Sequence, residues 1–120
     1  MGCSLGGDEE APPAAGAPAG IAAVVNQLER ATAARDFATV CDEVFTAAAR
    51  RHSGGADCAR LLRSSAEGVR RPSIEIRGIT LEGRRAQVDV RTSAKGQETV
   101  SDVLELRREG GEWRVEALGG

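Results

Sequence analysis

Residues 72–91, PSIEIRGITLEGRRAQVDVR, mark the place where the chain changes its period. Before Pro72 the apolar residues recur every three or four positions; after it they recur every second one. Ile74 and Ile76 alternate with Glu75 and Arg77. Ile79 and Leu81 resume the alternation after a one-residue slip at Gly78, which is how a β-bulge reads in sequence. Glu82-Gly83 predicts a turn, and Ala86, Val88 and Val90 then alternate with Gln87, Asp89 and Arg91. Ser93 to Gln97 reads as a loop. A third strand carries Val100, Leu104 and Leu106, and Glu109-Gly110-Gly111 turns the chain into a fourth with Trp113 and Val115.

Working back from Pro72, the pattern is helical. Ile21, Val24, Val25, Leu28 and Ala31 predict a first amphipathic helix to about Ala34. Asp36 suits the N-cap of a second, because its carboxylate accepts from free N–H groups of the first turn. That helix carries Phe37, Val40, Cys41, Val44, Phe45 and Ala48 on one stripe and ends at Arg50-Arg51, where positive charge favours the negative end of the helix dipole. Asp57 opens a third, with Cys58, Leu61, Leu62 and Val69 on one side, and Pro72 prevents its continuation. The expected class is α+β: three N-terminal helices packed on a curved four-stranded antiparallel sheet. A chain of 120 residues suits one such domain, placed at 21–120.

Residues 1–20 read differently. From Ser4 to Gly20 the chain is mostly Gly, Ala and Pro around the acidic cluster Asp8, Glu9 and Glu10, and Pro12, Pro13 and Pro18 interrupt any helix. The expectation is a disordered tether, spanning roughly 20–25 Å as a flexible coil.

Composition excludes some functions. A net charge of −2 and an aromatic set limited to Phe37, Phe45 and Trp113 argue against a nucleic-acid partner, which calls for a basic face and stacking rings. An alanine-rich core buries little area per side chain, so modest stability is expected unless something staples the fold. With no Cys-x-x-Cys and His52 as the lone histidine, neither a metal nor a cofactor is expected. No stretch approaches the ~20 apolar residues that cross a bilayer.

The segments ATAARDFATVCDEVFTAAARRH, GGADCARLL, GRRAQVDV and LELRREGGEWRVEAL resemble the nuclear transport factor two-like superfamily. Within it they look like small secreted or lipid-anchored members from actinobacterial-type genomes. The resemblance covers 21–120 and implies a cone of helices against a curved sheet. It does not decide activity, since isomerases, dehydratases and non-catalytic members share the fold. It implies a pocket in the cone interior lined by Phe37, Phe45, Val88, Val90, Leu104, Leu106 and Trp113, suited to a small apolar ligand.

Three cysteines allow three pairings. Cys41 and Cys58 lie on the apolar stripes of consecutive helices, and antiparallel neighbours bring such positions within bridging range. A bridge between them is expected in an oxidising compartment; two buried thiols are the alternative in a reducing one. Cys3 stands apart. Gly2-Cys3-Ser4 matches the end of a bacterial lipobox, with Met1 where the apolar region should precede it. The reading is a lipidation cysteine whose signal peptide lies upstream of this chain, the alternative being an incidental cysteine. Eukaryotic myristoylation fits less well, because Gly6 stands where Ser or Thr is wanted.

For catalysis the sequence offers little. Asp102 shares the strand face of Val100, Leu104 and Leu106, so it is the candidate base in the alternative reading of an isomerase- or dehydratase-like enzyme. His52, in RRHSGG, reads as a solvated helix end. The arginine pairs 50–51, 70–71, 84–85 and 107–108 read first as solubilising ends and second as an anion-binding patch. The leading expectation is a non-catalytic binding or interaction domain, lipid-anchored at the extracytoplasmic face of a membrane. A cytosolic homodimer through the sheet, using Val103 and Leu118, is the third.

Overall fold

The computed structural model describes residues 17–119, with side chains to Ala117. Helix α1 spans Ala17–Ala33, α2 spans Phe37–Thr39 and continues as a π-helical stretch over Val40–Val44, and α3 spans Ala47–His52. A 3₁₀ turn at Gly55–Asp57 leads into α4, Cys58–Ser65. Four strands follow: β1 Ser73–Glu82, β2 Arg85–Ser93, β3 Val100–Glu109 and β4 Glu112–Gly119. They pair antiparallel in the order β1-β2-β3-β4. The architecture is α+β, helices first and sheet second.

The sheet follows from alternation. Ala86, Val88, Val90, Leu104, Leu106, Trp113 and Val115 are all buried on the face that meets Ile21, Val24, Val25 and Val44. The register shifts between Ile76 and Gly78, so the slip read at Gly78 is a bulge that returns Ile79 and Leu81 to the inner face opposite Val88 and Ala86. A second bulge falls in β4, where Glu105 faces Ala117 while Leu106 faces Val115, leaving Glu116 as the extra residue.

The helices depart from expectation in three places. The first begins four residues before Ile21, so Ala17–Gly20 are helical and do not belong to a tether. Pro18 sits in the first turn, where backbone N–H groups have no helical acceptor and a proline loses no bond. The second does not run unbroken to Arg51. Phe45 is extended and makes a parallel bridge to Val115, so the chain leaves the helix to pair with β4 and re-enters it at Ala47. The third ends at Ser65, short of Val69.

Thr46 makes that break stable. It is fully buried; its N–H donates to the Val115 carbonyl (2.9 Å), its Oγ1 accepts from the Ala49 N–H (3.0 Å) as the N-cap of α3, and its hydroxyl donates to Glu116 Oε1 (2.7 Å). Thr46→Val keeps the shape and removes both side-chain bonds, stranding a half-buried carboxylate oxygen. A loss of about 2 kcal/mol is expected. Thr46→Ser should retain most of it, both variants being compared by urea unfolding.

At the end of α1, Arg35 adopts φ 59°, the left-handed conformation usually given to glycine. Its guanidinium donates to the carbonyls of Ala66 (3.1 Å) and Arg63 (3.4 Å) at the end of α4 and lies over the Phe37 ring. One strained residue thus ties α1, α2 and α4 together.

Candidate functional site

Cys41 and Cys58 are joined by a disulfide with their Cα atoms 6.1 Å apart. Two local devices bring them together. Asp36 caps α2 by accepting from the Thr39 N–H (3.3 Å) and hydroxyl (2.7 Å), which aims the buried Cys41 at α4. Gly54, at φ 116°, then reverses the chain after α3 so that α4 can start on Cys58. Both cysteines are buried, so the bridge works as an internal staple and is not placed for exchange with solvent thiols.

Between helices and sheet the apolar side chains meet each other. Phe37, Val88, Val90 and Leu104 lie in the core cluster, and Phe45 is half-buried against it. Leu106 and Trp113 belong to the same cluster and also reach surface grooves. One groove, of about 450 Å³, crosses the outer face of the sheet past Thr80, Arg85, Gln87, Glu105, Arg107 and Glu116. The other, of about 490 Å³, lies between the amino end of α1 and the β3–β4 hairpin, past Ala17, Gly20, Gln27, Arg108, Glu112 and Trp113.

Asp102 stands opposite Val90 on the inner face and is half-buried. Its Oδ1 accepts from the adjacent Val103 N–H (2.8 Å), and the residue lines neither groove. His52 is the exposed last residue of α3. No set of three His, Cys, Asp or Glu side chains capable of holding a metal occurs among the described residues, and no helix among them is long and apolar enough to cross a membrane. Val103 is on the outer sheet face, half-buried, opposite Asp89; that face otherwise carries Glu75, Arg77, Gln87, Arg91, Glu105 and Arg107. Cys3, with the rest of residues 1–16, on which most of the expected tether falls, and the side chain of Leu118 lie outside the described residues.

The strand register assembles what spacing alone does not. Arg85 faces Arg107 directly across β2 and β3, and Arg107 faces Arg114 across β3 and β4. The N–H of Arg108 donates to the Arg84 carbonyl (2.8 Å), so the pairs 84–85 and 107–108 sit side by side at the two hairpin turns. The turn signals at Glu82-Gly83 and Gly110-Gly111 put each pair beside a turn, and the register brings the two pairs together.

No family model and no curated protein matches the chain. Among solved structures it is similar to a SEC-C motif containing protein from Rhodopseudomonas palustris, known from a solution structure. The two share 19% sequence identity and a TM-score of 0.58 over 82% of this chain and 76% of that one. At that identity the likeness is one of fold.

Proposed function

We propose that this protein is a non-catalytic binding or interaction domain of nuclear transport factor two-like architecture, held at the extracytoplasmic face of a membrane by lipid on Cys3. The observation that carries the reading is the Cys41–Cys58 bridge. A buried disulfide belongs to an oxidising compartment, where exported domains with thin cores use such staples. The bridge takes up both domain cysteines, so the chemistry of Cys3 is separate from theirs. Gly2 is the small residue that precedes the cysteine at the end of a lipobox. The core supports a non-catalytic role: the side chains nominated as pocket lining pack on one another, and Asp102 is bonded to its own neighbour's amide.

The test is metabolic labelling with palmitate in a bacterial host, the chain being expressed behind an export signal that ends at Gly2. Labelled protein in the membrane fraction is expected, and Cys3→Ser should abolish label and membrane retention while the Cys41–Cys58 bridge still forms. Unlabelled protein with Cys3 intact would overturn the anchor.

A further inference from the structure

We infer that the end of the sheet formed by the β1–β2 and β3–β4 turns is a docking surface for an anionic phospholipid bilayer. The inference rests on the lipid-anchored reading for the orientation of the domain.

Four exposed arginines, Arg84, Arg85, Arg107 and Arg108, occupy adjacent positions at this end. None has a carboxylate within 4.0 Å among the described residues. Two of the neighbouring acids are engaged: Glu109 accepts from the Ala47 N–H (3.3 Å), and Glu112 pairs with Arg114 (3.4 Å). Glu82, opposite Arg85, and Glu105, which lines the outer-face groove with Arg85 and Arg107, are the acids left to oppose them. Like charges directly opposed across strands destabilise a sheet, and the row Arg85–Arg107–Arg114 does this twice. An anionic surface relieves that repulsion. Sites that break a local rule in this way are where function is sought.

The path of the chain selects a bilayer over a dissolved anion. Ala17 and Gly20 share a groove with Arg108, Gly111 and Trp113, so α1 begins beside the β3–β4 turn. The described part of the chain therefore begins at its arginine end. Thirteen residues, 4–16, separate Cys3 from Ala17, a reach of at most about 50 Å. A tether joined there limits how far the arginine end can stand from the bilayer. The amino end of α1 adds its partial positive charge there. Arg85 and Arg107 line the outer-face groove and Arg108 the groove beside α1, so the arginines stand on both sides of the hairpin ends and do not line an enclosed cavity.

The experiment uses the Cys3→Ser chain, which carries no lipid, and sedimentation with large unilamellar vesicles at 50 mM and 300 mM salt. Binding to vesicles with 30% phosphatidylglycerol, with weak binding to pure phosphatidylcholine and loss at high salt, is expected. Each basic residue near such a surface contributes about fivefold in partitioning. Arg84→Gln, Arg85→Gln, Arg107→Gln and Arg108→Gln together should therefore weaken binding at least tenfold. Arg70→Gln with Arg71→Gln, away from these turns beside the β2–β3 loop, should change it less than the fourfold variant by a wide margin. Thermal melts of both variants establish that they fold. Equal affinity for the two vesicle types, or equal losses in the two variants, would overturn the surface. So would saturation of the four arginines by inorganic phosphate without vesicle binding. Because Cys3 is absent from this assay, a failed lipid label and a failed vesicle surface are separate results.

Discussion

Breaking the Cys41–Cys58 bridge, by reduction or by the double change Cys41→Ala and Cys58→Ala, is expected to cost about 3 kcal/mol. The bridge closes a loop with a sequence separation of 17, and the chain-entropy estimate for a loop of that size is about 3 kcal/mol. For a domain of about 100 residues that is a fall of roughly 12 °C in Tm. The check is thermal unfolding with and without a reductant, with the double variant as control. The reductant should lower the Tm of the parent and leave that of the variant unmoved. A parent whose Tm moves by less than about 2 °C would refute the staple.

The effect is large relative to the whole because the rest of the core is lean. Apart from Phe37, Trp113 and Thr46 the buried set among the described residues consists of aliphatic side chains, alanines and the two cysteines, and domains of this size hold only about 5–15 kcal/mol in reserve. The bridge also acts where secondary structure is least regular. Cys41 sits in the π stretch and Cys58 opens α4 straight after a 3₁₀ turn. Neither segment has the run of regular helix that would hold it by propagation alone.

That irregular region is also where sequence reading runs out. The sheet was legible because alternation is a local property, and Gly78 announces its own bulge. The bulge at Glu116 carries no glycine, and its extra residue accepts from the hydroxyl of Thr46, 70 residues away. The same long-range pairing explains why the stripe Phe37, Val40, Cys41, Val44, Phe45 and Ala48 was read as one helix. Its apolar spacing is helical throughout, but Phe45 leaves the helix to bridge to Val115, a partner 70 residues on. Alternation likewise gave the face of Ile79 and Leu81 without their burial. They lie opposite Val88 and Ala86, yet remain 37% and 46% exposed because the helices do not reach that corner.

The candidate site divides in the same way. The cysteine pair was readable because both members fell on apolar stripes of neighbouring helices. The arginine row was not, because residue pairs 22 positions apart, such as Arg85 and Arg107, become neighbours only once register is fixed. Dipeptides that look like ordinary solubilising ends in sequence are concentrated at one end by two hairpins of matched length.

Leu106→Ala is expected to destabilise the domain by about 3 kcal/mol, and Leu81→Ala by less than about 1 kcal/mol. Both residues face Ala86, one from β3 and one from β1, so the comparison holds the neighbour constant. Leu106 is 2% exposed, between Ala86 and Val115, with Trp113 in the same cluster. Removing its branched end leaves a void that strand-bound neighbours cannot close, because Ala86 has no side chain to swing inward and Val115 is stiff at χ1. Leu81 is 46% exposed, so truncating it mostly removes surface that water already wets. Urea unfolding of the two variants reads the difference as a shift in midpoint at constant slope. If Leu106→Ala cost no more than Leu81→Ala, the inner face at this end of the sheet would have to be loosely packed, and the core described above would be wrong there. The two substitutions lie at the same end as the arginine turns. Leu106 pairs with Ala86 in the same register that sets Arg107 opposite Arg85.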